Sequence, residues 1–321
     1  MNLLFIFTGG TIGSTVTGDV ISPDGQAPRL LLEKYAQRHP IDFTYDTLAP
    51  MSELSENFTG MHICHILNTV ASHAKDYDGV VVTHGTDTLA YTAAALGYAL
   101  GNDAPPVCLV SSAYPLEDKR ENGTDNLFGA LSLMRAGREK GVFVPYQNQK
   151  GGSITVHRAT RLSSSLALLH QIYSVGDLPY GEVTPDGVFH KDPDYTEKPD
   201  ALPPPEWRSL FERSRDILRV FPYPGMVYPE IPDRTRYVLL DTYHSGTVDG
   251  KSHAAHAFLK AAKKKGVPVF VTGNAAYESA GIFDEYGVIR LPLSPIALYM
   301  KLWLYKDTAD LSLSRGGDLF L

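Results

Sequence analysis

Threonine hydroxyls and one carboxylate stand at the ends of two apolar runs. The first run, Leu3–Phe7 (LLFIF), passes into Thr8-Gly9-Gly10-Thr11-Ile12-Gly13-Ser14. The second, Gly79–Thr83 (GVVVT), passes into His84-Gly85-Thr86-Asp87-Thr88 and an alanine-rich stretch. Glycine weakens regular structure, so Gly9, Gly10 and Gly13 point to a turn with unusual backbone angles or a close approach. Two readings fit that turn: a tight loop, or backbone folded round a ligand that is offered Thr8 or Thr11. The second loop also has two readings. Thr86 or Asp87 can cap the following helix by accepting from its free N–H groups, or can serve catalysis. Taken together, the loops bring hydroxyls and a carboxylate to one cleft.

Short β-branched runs alternate with longer amphipathic ones along the first half of the chain. Strands are expected at Leu3–Phe7, Ile41–Leu48, Gly79–Thr83, Pro106–Ser112 and Gly141–Tyr146. Helices are expected at Arg29–Arg38, Phe58–Ala74, Asp87–Leu100 and Asn126–Glu139. This alternation predicts an α/β fold, a mostly parallel sheet with helices on both faces. In such sheets ligands sit beyond the carboxyl ends of the strands. The loops Thr8–Ser14, Thr83–Thr88 and Ser111–Asp125 all follow strands and could share one edge. GGSITVH and GEVTPDGVFH read as hairpin segments, the second turning at Pro-Asp-Gly. His190–Trp207 is rich in proline and charge, as a linker is. A further α/β unit follows, with YVLLDTY, DGKSHAAHAFLKAAKKKG, VPVFVTG and SPIALYMKLWLYKD as strand, helix, strand and helix. The expected division is a larger N-terminal domain over 1–190, a linker over 191–220 and a smaller C-terminal α/β domain over 221–321.

The 321 residues are enough for a large core. Hydrophobic residues make up 43% and charged residues 20%, as in globular proteins. A net charge of −7 gives no support for nucleic acid or an anionic membrane as a partner. Two cysteines, Cys64 and Cys108, make no disulfide framework and fit a reducing compartment. No stretch approaches the roughly twenty apolar residues that span a bilayer, so a cytoplasmic location is expected, with a processed export form as the alternative. His62 and His65 in HICH could suggest a metal, but nothing supplies a clear third ligand, and a packed or solvated pair is the expectation. The first loop lacks the lysine and Ser/Thr ending of a phosphate loop, and no G-x-S-x-G elbow supports a serine hydrolase.

The segments TGGTI (Thr8–Ile12) and HGTDT (His84–Thr88) resemble, in order and spacing, the two signatures of the bacterial-type L-asparaginase family, which includes glutaminase-asparaginases. Ser111–Leu131 (SSAYPLEDKRENGTDNLFGAL) is similar to a third family segment. The resemblance implies hydrolysis of a side-chain amide with Thr11 as nucleophile. It implies that Thr86 polarises the carbonyl or positions water, and that Asp87 binds the substrate's α-amino group. Ser55 would hold the α-carboxylate and Glu56 would lie near the ammonium, although SEN also reads as a helix start. Gly85 and Ser112 join the implied substrate-binding set, and backbone N–H groups of the glycine loops suit an oxyanion. No metal or organic cofactor is implied, the partner is a small amino-acid substrate, and a homodimer or homotetramer is expected.

Two departures stand out. Arg161 in HRATRL occupies the place of a family lysine. It cannot act as a base, because its pKa stays above about 12, but it could hold Asp87 and Thr86; a surface arginine is the alternative. The loop Ser14–Gln26 lacks the family's tyrosine, and the nearest is Tyr35. Glu278 is a candidate for the acidic residue that a neighbouring protomer contributes, with a loop-surface glutamate as the plainer reading. Asparagine is therefore the first expected substrate. Glutamine or a modified amide, and a non-catalytic amino-acid-binding relative, remain as alternatives. The D subunit of the transfer-RNA amidotransferase shares these motifs and carries extra N-terminal sequence.

Overall fold

The computed structural model describes residues 1–17, 20–23, 27–207, 213–273, 280–305 and 310–320. The chain opens with β1 (Asn2–Phe7), a hairpin of β2 (Ser14–Thr17) and β3 (Val20–Pro23), helix α1 (Ala27–Arg38) and strand β4 (Thr44–Leu48). Next come α2 (Gly60–His73), β5 (Gly79–Thr83), α3 (Leu89–Leu100), β6 (Val107–Val110), α4 (Gly123–Ala136) and β7 (Val142–Tyr146). Strands β8 (Ile154–Arg158), β9 (Gly181–Val183) and β10 (Phe189–Lys191) complete an eight-stranded sheet in the order β10-β9-β8-β7-β6-β5-β1-β4. The part from β4 to β7 is parallel, and β8, β9 and β10 add antiparallel neighbours.

The continuous apolar runs follow from burial on two faces. In β1, Leu4 and Ile6 join a core containing Ile66 and Leu67 of α2 and Ala93 and Leu96 of α3. Leu3 and Phe5 join the opposite core with Leu31 and Tyr35 of α1 and Leu127 and Leu131 of α4. β5 divides in the same way, with Val80 and Val82 on one side and Val81 on the other. At the sheet edge only one neighbour is available to β4, and its TYDTL sequence is mostly exposed.

A second, four-stranded parallel sheet contains β11 (Ile217–Val220), β12 (Tyr237–Leu240), β13 (Val269–Thr272) and β14 (Ile289–Leu291). It begins inside the stretch expected to be linker. Helix α5 (His253–Lys265) is capped by Ser252, whose Oγ accepts from the Ala255 N–H, and carries Lys263, Lys264 and Lys265 in its last turn, where the helix dipole favours positive charge. Helices α6 (Ala280–Tyr286) and α7 (Pro295–Leu304) follow. Leu298, Leu302 and Trp303 of α7 are buried in the same core as α2 and α3, so the two sheets share apolar packing.

The segment after α7 returns to the first sheet. Arg315 donates from Nε to the Tyr98 carbonyl (3.0 Å) and from Nη1 to that of Leu202 (3.2 Å). The Gly316 N–H donates to Asp200 (2.7 Å), and its carbonyl accepts from the Thr160 hydroxyl (2.7 Å). A Cβ on Gly316 would lie 2.5 Å from the Gly97 carbonyl oxygen, and its φ is +63°, so both space and conformation require glycine. Asp318 pairs with Lys301 at 2.7 Å with both side chains fully buried, and accepts from the Tyr98 hydroxyl at 3.1 Å.

Candidate functional site

The first glycine loop is held by backbone contact. The Gly10 N–H donates to the Glu53 carbonyl (2.9 Å), and the Glu53 N–H donates to that of Thr8 (3.2 Å). Gly9 and Gly10 have φ of +99° and +76°. A Cβ on Gly9 would lie 2.4 Å from the Glu53 N and O, and one on Gly10 would lie 2.2 Å from the Gly85 N. Backbone therefore packs on backbone where the two loops meet, which is the close approach that glycine permits. A single 3₁₀ turn over Thr11–Gly13 follows. Thr8 is not offered to a ligand: it is fully buried and its Oγ1 donates to the Thr83 carbonyl at 2.6 Å.

The second loop is anchored by His84. Its N–H donates to the Val110 carbonyl (2.9 Å), and the ring bridges the Gly85 carbonyl through Nδ1 (2.8 Å) and the Thr92 hydroxyl through Nε2 (2.8 Å). A carbonyl can only accept, so Nδ1 carries the hydrogen and Nε2 accepts from Thr92. Burial lowers the imidazole pKa to about 4, against the smaller raising effects of the Gly85 carbonyl and Asp87. The neutral ring fixes the peptide that leads into Thr86. His84 stands in HGTDT, but nothing in that motif alone told of this anchoring role.

Thr11, Thr86 and Asp87 line one cavity of about 480 Å³, together with Ala113 and residues Ser165–Ile172. The expected meeting of the two loops occurs. Helix α3 starts at Leu89 with Thr88 at its cap, and no side-chain bond caps it. The Asp87 carboxylate instead accepts from the Ser55 hydroxyl at 3.2 Å. The Thr88 hydroxyl donates to the Ser55 carbonyl at 2.9 Å. Ser55 is buried in a 3₁₀ turn, Ser55–Asn57, and α2 is capped separately by Thr59 and His62. Ser55 thus opens a short 3₁₀ turn, as the helix-start reading of SEN has it, but its side chain caps nothing and contacts Asp87 instead.

Other expected site residues are placed elsewhere. Ser112 is fully buried. Its hydroxyl donates to the Tyr114 carbonyl (2.6 Å) and accepts from the Gly123 N–H (3.2 Å), while Ala113 beside it reaches the cavity. Glu56 is exposed and does not line the cavity. Gly85 contributes by contact: a Cβ there would lie 2.5 Å from the Ser55 Oγ.

Arg161 is neither on the surface nor joined to Asp87 by a hydrogen bond or ion pair. Only 2% exposed, it donates from Nε to the Gly317 carbonyl (2.7 Å) and from Nη2 to the carbonyls of Thr196 (2.7 Å) and Leu319 (2.8 Å). Its guanidinium lies 4.4 Å from the Tyr195 ring centroid. The expectation that it holds Asp87 and Thr86 is corrected by these bonds, which commit it to the returning C-terminal segment. Tyr35 is buried beside Arg135, away from the cavity lining. Glu278 lies outside the described residues. His62 accepts the Thr59 N–H at Nδ1 (3.0 Å), which accounts for half of HICH as a helix cap. Tyr243–Thr247 forms a tight turn closed by the Tyr243 N–H on the Thr247 carbonyl (2.8 Å).

The remaining wall was not anticipated. Residues 163–173 form a loop whose ends are close: Leu162 bridges Ser174, and the Ser163 N–H donates to the Tyr173 carbonyl at 2.9 Å. Asn148 donates to the Ile172 carbonyl (2.8 Å) and accepts from its N–H (2.9 Å), and the Tyr146 hydroxyl donates to the His170 carbonyl (2.6 Å). The segment SSSLALLH has neither a helical nor a strand period, so its apolar residues gave no structural signal.

A sheet with two glycine-braced strand ends and a threonine on each defines a recognisable class. Residues 2–191 match the family described as Asparaginase, N-terminal. The chain belongs to the asparaginase family. It is 38% identical over 128 residues to L-asparaginase 1 of Escherichia coli strain K12, a match covering 39% of this chain and 38% of that relative. It is 27% identical over 329 residues to the D subunit of the glutamyl-tRNA(Gln) amidotransferase of Thermococcus kodakarensis, covering 95% of this chain and 71% of that one. The fold is similar to the crystal structure of L-asparaginase I from Vibrio cholerae, with a TM-score of 0.74, 23% identity, and coverage of 100% of this chain and 99% of the other. No helix among the described residues is long and apolar enough to cross a membrane.

Proposed function

We propose that the protein hydrolyses the side-chain amide of an amino acid, with L-asparagine as the first candidate, through an ester on Thr11. The observation that carries this reading is the presence of Thr11, Thr86 and Asp87 on one cavity. The Thr11 oxygen attacks the amide carbon, and the C–N bond breaks as ammonia leaves with a proton. Water then cleaves the ester and restores the hydroxyl. Thr86 holds the carbonyl or the water, and Asp87, held by Ser55, receives the substrate ammonium. Asp87 is the one Asp or Glu among the described lining residues. Peptide N–H groups of the two loops are the candidate donors to the oxyanion, a role worth several kcal/mol in comparable sites. The same reading includes a homodimer or homotetramer in the cytoplasm.

Ammonia release from asparagine, glutamine and acylated analogues tests the proposal. Turnover of asparagine that falls by about 10³-fold or more in Thr11→Ala is expected for a lost nucleophile. Tight binding of asparagine or aspartate without turnover by the wild-type protein would instead establish the non-catalytic reading.

A further inference from the structure

We infer that Asn122 and Asn126 are positioning residues, whose carboxamides join the ends of β6 and β7 and so fix two walls of the cavity relative to each other. This rests on the amidohydrolase reading above and adds residues to the same site. The ladder between β6 and β7 runs over Val107–Val142 and Cys108–Phe143. β6 continues to Val110 and β7 to Tyr146, so the two strands part toward the end that carries the site.

Two side chains at the start of α4 span the opening. Asn126 donates from Nδ2 to the Ser111 carbonyl (2.8 Å) and accepts at Oδ1 from the Gln147 N–H (2.7 Å). Asn122 accepts at Oδ1 from the Ala113 N–H (2.8 Å) and donates from Nδ2 to the Gln147 carbonyl (2.9 Å). Each carboxamide thus gives one bond to the β6 side and one to the β7 side, as further ladder bonds would. All four partners are main-chain groups, which fix the oxygen and nitrogen ends of both amides. Asn126 is fully buried and Asn122 is 8% exposed. The four bonds lie within one chain, so they hold whether or not a second protomer closes the cavity.

Asn122 occupies the N-cap of α4, where asparagine ordinarily accepts from its own helix. Its side chain makes no such bond. The Gly123 N–H donates to the Ser112 hydroxyl (3.2 Å) and the Thr124 N–H to the Glu121 carboxylate (3.0 Å). Neighbours therefore cap the helix, and the residue best suited to that task is given to Ala113 and Gln147 instead.

Both ends of this clamp lead to the site. On the β6 side, Ala113 lines the cavity, and the Val110 carbonyl accepts from the His84 N–H (2.9 Å), which ties this strand to the loop of Thr86 and Asp87. On the β7 side, Tyr146 and Asn148 flank Gln147 and hold the 163–173 loop through His170 and Ile172. A shift of Gln147 against Ala113 therefore moves one wall against the other and alters the space that Thr11 faces.

The test measures ammonia release from L-asparagine and L-glutamine by the full-length protein, well below Tm, with the fold checked by near-ultraviolet circular dichroism. Asn122→Ala is expected to lower kcat by about 10²-fold, as a misplacement of about 1 Å does, with KM changing by less than about fivefold. Asn122→Asp keeps an acceptor for the Ala113 N–H, and burial favours the protonated carboxyl that still donates to Gln147, so it should regain about tenfold or more. Thr124→Val is the structural control. It removes the hydroxyl bond to Glu121 (2.9 Å) at the same helix start and should lower Tm while leaving kcat unchanged. If Asn122→Ala does not fold, Asn122→Ser, whose hydroxyl is too short to reach both strands, is read in its place. A folded variant with wild-type kcat, a loss that falls on KM alone, or an equal loss of kcat in Thr124→Val overturns the inference. Wild-type protein that binds L-aspartate in calorimetry but hydrolyses neither amide overturns the amidohydrolase reading. The clamp then stands if Asn122→Ala weakens that binding by about tenfold or more, and falls if it does not. Neither binding nor hydrolysis by the wild type overturns both.

Discussion

Replacing Gly85 by alanine tests the contact on which the site depends. An added Cβ would lie 2.5 Å from the Ser55 Oγ, 2.7 Å from its Cβ and 3.2 Å from the Gly10 Cα. Carbon contacts are comfortable at about 3.5–4.0 Å, so the neighbours must withdraw by roughly 1 Å. Ser55 has little freedom to do so. It is 1% exposed, its hydroxyl donates to Asp87, and its carbonyl accepts from Thr88. Overpacking of this kind costs about 1–3 kcal/mol, and each kcal/mol lowers Tm by about 2–4 °C in a protein of a few hundred residues. The displacement falls between the loops carrying Thr11 and Thr86, where a misplacement of about 1 Å can reduce turnover by about 10²-fold. Thermal melts and ammonia-release kinetics on Gly85→Ala measure both effects. Adding Ser55→Gly removes the obstructing atoms, so the double variant should recover at least about 1 kcal/mol relative to additivity. It should not recover full turnover, because the Ser55–Asp87 bond is gone. A Gly85→Ala protein with wild-type Tm and kcat/KM would show that the loops do not pack as described.

Three further outcomes are expected. His84 is buried with a pKa lowered to about 4, whereas an unfolded histidine titrates near 6.5. The stabilisation from its neutral form is complete above pH 6.5, is lost as pH falls toward 4, and amounts to about 3 kcal/mol; the stability difference between wild type and His84→Gln should shrink by that amount across this window and stay flat above it. Asp318→Asn leaves Lys301 charged and fully buried without its carboxylate, and chemical denaturation should show a loss of about 3–5 kcal/mol; a loss below about 1 kcal/mol would refute the buried pair. Arg161→Ala leaves the carbonyls of Gly317, Leu319 and Thr196 without their donor and should destabilise by about 2–4 kcal/mol, with kcat at a temperature well below Tm changing less than about tenfold.

The parts of the fold that could be read from the sequence are those whose pattern is local. LLFIF and GVVVT announce strands because each is covered on two faces, and the glycine loops after them are conspicuous because backbone approach excludes side chains. β11 was hidden: ILRV is short, carries a charge and follows a proline-rich stretch. Its assignment depends on pairing with β12. At the site, Thr11, Thr86 and Asp87 stood out as hydroxyls and a carboxylate on glycine loops that follow strands, whereas Ser55 was pointed to by the family resemblance alone. Arg161 was misassigned because its position suggested a cleft partner, while its hydrogen bonds run to residues around 317, far along the chain. The leucine wall was missed because an irregular loop pinned by Tyr146 and Asn148 leaves no periodic trace in its own residues.

The returning C-terminal segment also bears on how the molecule is made. Strands β1 to β10 leave the ribosome well before residues 315–319, at about 5–20 residues per second during synthesis. Until those residues arrive, Arg161 lacks the acceptors of Gly317 and Leu319, and the space beside Gly97 has no Gly316 to fill it. The first sheet can therefore pair its strands early but reaches its final interior last, and nascent chains arrested before this stretch are natural clients for chaperones and proteases.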